Sequence, residues 1–209
     1  VAPERHQQGI GSALLNYCES QLNNCSYFGA SFGANAALVK FWQSNGFNIV
    51  KLGFSHDKAT AEHSALVIKA LDKQSTDSAA LLIEEFKQDL SLQLLGHFSS
   101  LPWQLIAELF KGLPKSDLPS ALNTRAERLL TGDISLFKVQ PLLWKMIWST
   151  PISLNLLDEH TKFILIRLVL QQTSVNSLIE EAGFTGKKDL DSQFKTAVQG
   201  WYAHYKSLQ

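Results

Sequence analysis

Two glycines one residue apart, Gly9 and Gly11, stand in the run His6-Gln7-Gln8-Gly9-Ile10-Gly11-Ser12, directly ahead of a segment with helical apolar spacing. Backbone N–H groups can converge on an anion only where no side chain intervenes, and the start of a helix adds partial positive charge. The amides of Gln8, Gly9, Ile10, Gly11 and Ser12 therefore suit an anion nest of pyrophosphate size. A glycine-rich helix opening that holds no ligand fits the same residues, because G-x-G before a helix is a weak signal by itself.

A second group with chemical capacity is Glu62-His63, at the start of an apolar alternating run. A carboxylate or a neutral imidazole there can take a proton from a reacting group, directly or through a water. Solvated polar groups at a loop-to-strand junction are the competing reading. A third group lies near the end of the chain, where Lys187, Lys188, Lys195 and Lys206 share a segment with Trp201, Tyr202, His204 and Tyr205. Lysines neutralise phosphates and aromatics stack on unpaired bases, which gives Lys187, Lys188 and Lys195 as RNA-binding candidates. An amphipathic helix that buries its aromatics and solvates its lysines is the preferred reading of that pattern. Trp103, Trp144 and Trp148 are assigned to the core. Cys18 and Cys25 have no His or Cys partner at metal-ligand spacing, so no metal site is expected and both read as reduced structural thiols.

The elements that must position these residues follow from periodicity. Residues 9–24 predict an amphipathic helix, with Ile10, Leu14, Leu15, Cys18 and Leu22 on one face. A strand is expected over Tyr27–Phe32. Asn35 caps a helix over Ala36–Ser44 that Asn45-Gly46 stops. Strands follow at Phe47–Leu52 and Ser64–Leu71. Beyond Asp72 the polar run 73–78 reads as a linker, and the remainder as helices: Ser78–Leu95, Pro102–Lys111, Pro119–Thr131, Ile134–Trp148, Glu159–Gln171, Val175–Ala182 and Lys187–Lys206. An α/β part over residues 1–72 and an all-α part over 79–209 result, with no fixed-period repeat.

The 209 residues suffice for one or two domains, and 45% hydrophobic with 10% aromatic content is that of a folded chain. Lys+Arg and Asp+Glu both number 19, so any nucleic-acid contact must be a local patch rather than a global field. The apolar run Phe163–Leu170 is too short for a membrane span and is broken by Arg167. A soluble, cytoplasmic protein without a membrane partner is expected. The opening Val1-Ala2-Pro3-Glu4-Arg5 has neither Met nor the regions of a signal peptide, and reads as a point inside a longer protein.

The spacing from Arg5 to Gly11 resembles the Q/R-x-x-G-x-G/A motif of the GNAT acetyltransferases, with His6 where that family prefers Gln or Arg. Three further runs narrow the resemblance: Val1 to Arg5; Ser31-Phe32-Gly33 followed by Lys40-Phe41-Trp42 and Gly46-Phe47; and Thr60-Ala61-Glu62-His63-Ser64. They are similar to the tRNA(Met) cytidine acetyltransferase family, over residues 1–71 specifically and more loosely at the Gly183–Lys188 turn and final helix. The resemblance implies the C-terminal portion of such a protein, with a partial GNAT fold and an α-helical tail domain. It implies acetyl-CoA held by Val1, His6, Gln7, Gln8, Gly9, Ile10, Gly11 and Ser12, and tRNA as the partner. It further implies transfer of acetyl to the exocyclic amine of the wobble cytidine, with Glu62 and His63 as catalytic candidates. Full-length members carry an ATPase module; no G-x-x-x-x-G-K-[ST] run occurs here, so ATP is expected to bind only that module. With the preceding strands also outside the sequence, the chain alone is expected to be inactive. Ala37 and Ser44 stand where family members can carry coenzyme-contacting Glu and Arg, while Lys40 reads as a surface cation and Phe41, Trp42 and Phe47 as core. Two alternatives stay open: a GNAT enzyme acting on a protein or small-molecule amine, and a non-catalytic module that binds RNA or a partner.

Overall fold

The computed structural model describes residues 8–56, 62–132 and 134–208. The chain divides into two compact units, Val1–Phe86 and Lys87–Gln209.

In the first unit the order is α1 (Ile10–Ser20), β1 (Tyr27–Gly33), α2 (Ala36–Ser44), β2 (Asn48–His56) and β3 (His63–Ala70), then the start of α3 (Lys73–Gln93). The strands form an antiparallel sheet in the order β1-β3-β2. Strand β3 alternates: His63, Ala65 and Val67 are buried, while Ser64 and Leu66 are exposed. Side chains of a strand point to opposite faces in turn, so this pattern marks one covered face. The register of β1 puts Phe28, Ala30 and Phe32 opposite Lys69, Val67 and Ala65, hence on that face. There Phe28, Phe41, Trp42 and Phe47 form an edge-to-face chain with centroid separations of 4.8 to 5.6 Å, and Phe32 stacks on Trp42 at 5.7 Å. Phe47 is buried, and Phe41 and Trp42 are half-buried, as expected of core aromatics on α2 and its exit. Helix α1 reaches the same face through the Glu19–Lys69 ion pair at 2.6 Å.

Local chemistry sets the helix limits. The Asn35 side-chain oxygen accepts from the Leu38 amide at 2.9 Å to start α2, and Gly46 at φ 83 ends it. The polar run 73–78, expected as a linker, is instead the first turns of α3. Asp72 accepts the Ser75 amide at 2.7 Å while the Ser75 hydroxyl accepts the Asp72 amide at 3.2 Å, a reciprocal cap that starts a helix where composition suggests a spacer. These bonds, the Ser75 amide foremost, hold the Asp72 carboxyl below its ordinary range. The division between units falls at Phe86/Lys87, inside α3 rather than ahead of it.

The second unit is helical: α4 (Trp103–Lys111), α5 (Ser120–Leu130), α6 (Leu136–Ser149), α7 (Glu159–Leu165), α8 (Val175–Ala182) and α9 (Lys187–Ser207). A 3-10 segment, Pro151–Leu156, separates α6 from α7. The single helix expected over Glu159–Gln171 is α7 followed by a π-helical segment, Ile166–Leu170. Ile106, Phe110, Leu143, Met146, Ile164 and Trp201 are fully buried at its centre. Trp201 reconciles its polar edge with burial by donating to Ser153 Oγ at 2.9 Å. Buried Lys87 donates to the Pro114 carbonyl at 2.8 Å and to Ser116 Oγ. No helix among the described residues is long and apolar enough to cross a membrane.

Candidate functional site

The opening of α1 is the part of the first unit best suited to hold an anion. Gly9 is its N-cap at φ 77 and ψ 0, a left-handed conformation, and its carbonyl accepts the Ala13 amide at 2.9 Å. The first N–H groups of any helix lack intrahelical acceptors. At α1 no side chain caps them and no acidic residue stands in the first turn. Gln8, Gly9 and Ile10 are exposed, and Gly11 and Ser12 are half-buried. The amides of Ile10, Gly11 and Ser12 thus point from the positive end of α1 toward accessible space.

The two glycines do different work. Nothing lies within 4 Å of where a Cβ on Gly9 would stand, so that glycine answers to its backbone angle. A Cβ on Gly11 would lie 3.1 Å from Cε2 and Cζ of Phe41, so that glycine lets α1 approach α2 closely. The nest and the aromatic layer beneath it are joined at this point. Of the other residues assigned to the coenzyme, Val1, His6 and Gln7 lie outside the described residues, as do Thr60 and Ala61 of the run before Glu62.

Glu62 and His63 are brought to the edge where β1 meets α2. Glu62 Oε1 accepts from Asn35 Nδ2 at 3.0 Å. Its other oxygen lies against Gly33, where a Cβ would collide with it. The Ala34 amide donates to the His63 carbonyl at 2.7 Å, which ties the same two segments through the backbone. The His63 ring is 5% exposed and turns to the covered face. Its Nδ1 lies 2.7 Å from the Gly53 carbonyl. A carbonyl only accepts, so Nδ1 carries the hydrogen in this contact. Gly53 falls within the irregularity between Leu52 and His56, where β2 leaves regular register with β3. His63 therefore ties β3 to the stretch of β2 that shifts register, and Glu62 is the half-buried carboxylate nearer the surface.

On α2, Ala37, Lys40 and Ser44 are exposed, and Ser44 Oγ donates back to the Lys40 carbonyl at 2.7 Å. The sequence singled out Asn35 as a cap and Gly33 as the end of the Ser31-Phe32-Gly33 run, but not their contact with Glu62, and it did not single out Gly53. The Asn35–Glu62 contact spans 27 residues and the His63–Gly53 contact ten, and neither has a short-range signature.

The candidates in the second unit separate. Lys187 and Lys188 are exposed at the first positions of α9, whereas Lys195 pairs with Asp191 at 3.0 Å. Trp201, Tyr202 and Tyr205 are buried, so the aromatics of α9 are core, as the amphipathic reading holds. Burial raises the hydroxyls of Tyr202 and Tyr205 above the ordinary tyrosine range. The turn that presents Lys187 is held by Asp189, which accepts from Gln193 Nε2 at 2.7 Å and from the Thr185 amide at 2.9 Å. These bonds, Gln193 first, lower its carboxyl. Cys18 and Cys25 are free thiols. Among the described residues no group of three or more His, Cys, Asp or Glu side chains is placed to hold a metal ion.

A family model described as GNAT acetyltransferase 2 matches residues 3–72, the stretch that contains the α1 opening and the sheet. The chain is 27% identical to a tRNA(Met) cytidine acetyltransferase of Vibrio cholerae, over 95% of this chain and 27% of that protein. It is 26% identical to the protein of that name from Pyrococcus furiosus, over 99% of this chain and 26% of the other. A Haemophilus ducreyi relative of the same name is 31% identical over 44% of this chain and 17% of its own length. The chain spans about a quarter of the length of the first two relatives, at 27% and 26%.

Proposed function

We propose that this chain, a relative of the tRNA(Met) cytidine acetyltransferases whose residues 3–72 carry part of a GNAT acetyltransferase domain, serves acetyl transfer from acetyl-CoA to a cytidine of tRNA. The acceptor is the exocyclic amine of the wobble cytidine of elongator tRNA(Met). The observation that carries the reading is the uncapped, acid-free opening of α1 after left-handed Gly9, where the pyrophosphate of the coenzyme would be held by backbone amides.

In this reading the base amine attacks the thioester carbonyl, the tetrahedral oxyanion is met by backbone N–H groups at a strand edge, and coenzyme A leaves as the thiolate, which takes up a proton from solvent. The proton lost by the amine passes to Glu62, directly or through one water. From its buried position His63 holds the register shift between β2 and β3 through Gly53. Any ATP dependence belongs to a module outside these residues. The isolated 209-residue chain is expected to be inactive, because the resemblance places further strands of the coenzyme cleft before it.

The test is transfer of labelled acetyl from acetyl-CoA by the complete protein to tRNA(Met), with free amines and a lysine peptide as competing acceptors. Label in the wobble cytidine supports the reading. Label confined to an amine or peptide, or no binding in a coenzyme A titration, overturns it, and so does acetylation of tRNA(Met) by the isolated chain for the inactivity it expects.

A further inference from the structure

The second unit contains a cavity of about 240 Å³ between the starts of α6, α8 and α9 and the π-helical segment. It lies below the roughly 300–1,000 Å³ usual for drug-sized ligands, which suits one planar ring system rather than a coenzyme. Leu168, Leu190 and Phe194, all buried, are among its lining residues. Phe137 also lines it and is 80% exposed, the most exposed of the large apolar side chains described. A solvated aromatic beside an apolar recess offers a stacking face that its own fold leaves unused.

Two backbone irregularities shape the recess. Pro141 lies inside α6 and has no N–H, so the Phe137 carbonyl four residues earlier lacks its helical donor. The π-helical segment carries Leu168 into the cavity wall, and its carbonyl accepts instead from Gln140 Nε2 at 2.6 Å. Both irregularities belong to the wall that carries Phe137 and Leu168, and π-type turns recur at functional sites.

The charge around the recess indicates what enters it. Lys187 lines the cavity, is exposed and forms no ion pair among the described residues. Asp191, the carboxylate in the lining, is already engaged by Lys195 at 3.0 Å. The unbalanced charge is therefore positive and stands beside an aromatic platform. An apolar side chain of a partner protein would fill the recess but leave that cation unused.

From this juxtaposition we infer that the cavity receives one unpaired nucleobase of an RNA strand, stacked on Phe137, with an adjoining phosphate on Lys187. The inference rests on the RNA-directed reading above but concerns a separate site, since it involves no residue of the α1 opening. Unpaired bases stack on aromatic side chains for about 1–3 kcal/mol each, a range centred near a thirtyfold change in affinity.

The test uses the complete protein and short single-stranded RNAs that carry 2-aminopurine, whose fluorescence falls on stacking. Quenching is expected with the unsubstituted protein. Phe137→Ala should remove the quenching and weaken binding by tenfold or more without moving the melting temperature, since that ring is 80% exposed. Lys187→Gln should lower the salt dependence by about one phosphate contact, a slope change near 0.7 for single strands. The idea is overturned if Phe137→Ala binds and quenches like the parent, or if an abasic residue at the probe position binds as tightly. It is overturned as well if an apolar peptide displaces the RNA from the recess at lower concentration. A coenzyme A titration on the same preparations separates the two readings. Loss of coenzyme binding with quenching intact counts against acetyl transfer alone, and acetylated tRNA without quenching counts against this site alone.

Discussion

The Asn35 amide donates to Glu62 at 3.0 Å while the oxygen of the same side chain caps α2 through the Leu38 amide at 2.9 Å. One asparagine thus fixes both a helix start and the candidate proton acceptor. Asn35→Ala should cost about 1 kcal/mol through the lost cap and lower acetyl transfer by the complete protein as Glu62 loses its orientation. Asn35→Asp keeps a capping oxygen but sets two carboxylates face to face, which raises the pKa of one. A folded-state pKa above the unfolded value of about 4 gives stability that is present at low pH and lost as pH rises through the folded value. Denaturant titrations at pH 4.5 and pH 8 should therefore show Asn35→Asp close to wild type at the lower pH and weaker at the higher. Equal offsets at both values would refute the contact.

The differing work of Gly9 and Gly11 predicts a crossed result. Gly9→Val should be destabilised by about 1–2 kcal/mol, the cost of a left-handed conformation with a Cβ, and Phe41→Leu should not relieve it. Gly11→Val should be destabilised by crowding against Phe41, and Phe41→Leu should recover part of that loss. Melting temperatures of the three single and two double variants decide the matter. Recovery in the Gly9 background would contradict the assignment.

Asp158 caps α7 by accepting the Thr161 hydroxyl at 2.7 Å and its amide at 2.9 Å, bonds that hold its carboxyl below the ordinary range, the hydroxyl contributing most. A depressed folded-state pKa gives stability that is complete above the unfolded value of about 3.9 and lost as pH falls through the lower folded value. Asp158→Ala should cost about 1 kcal/mol at pH 7. Below pH 4 its deficit against wild type should narrow, and a deficit that stays constant into acid would remove the carboxylate from the account.

Trp201 and Ser153 form a buried polar pair in the second unit. Ser153→Ala strands an indole N–H away from water, at about 1–3 kcal/mol. Trp201→Phe removes the donor and adds a packing loss. The double variant should be less destabilised than the sum of the two singles, because each removes the same bond. Strict additivity in denaturant melts would show that the bond contributes nothing.

Much of the fold is written in local signals. Asn35 at one end and Asn45-Gly46 at the other bound α2 residue for residue, and α8 at Val175–Ala182 follows likewise from Ser174 and Gly183. The polar run 73–78 shows why composition is a weaker guide. It reports affinity for water, which an exposed helix satisfies as well as a spacer does, while the Asp72–Ser75 bonds decide the backbone. The π-helical turn at Ile166–Leu170 has no mark in the periodicity, because its extra residue is absorbed within a run that is apolar except for Arg167. At the candidate site Gly9 was legible from its place before α1. Gly11's contact with Phe41 and Glu62's with Asn35 were not, since each joins segments about thirty residues apart, where only tertiary packing sets the distance.

The strand order has a kinetic consequence. Strand β3 is the last of the three to be synthesised, yet it is central, and neither β1 nor β2 pairs with the other. Until Ala70 has left the ribosome, β1 and β2 lack the strand that each pairs with among the described residues, and Phe28, Phe32 and Phe47 await part of the surface they will cover. The sheet must close by contacts distant along the chain, a slow step in folding. Its partly made form exposes unpaired edges to other nascent chains. Substitutions in β3 should thus limit the yield of folded protein in cells more severely than their effect on the finished structure suggests.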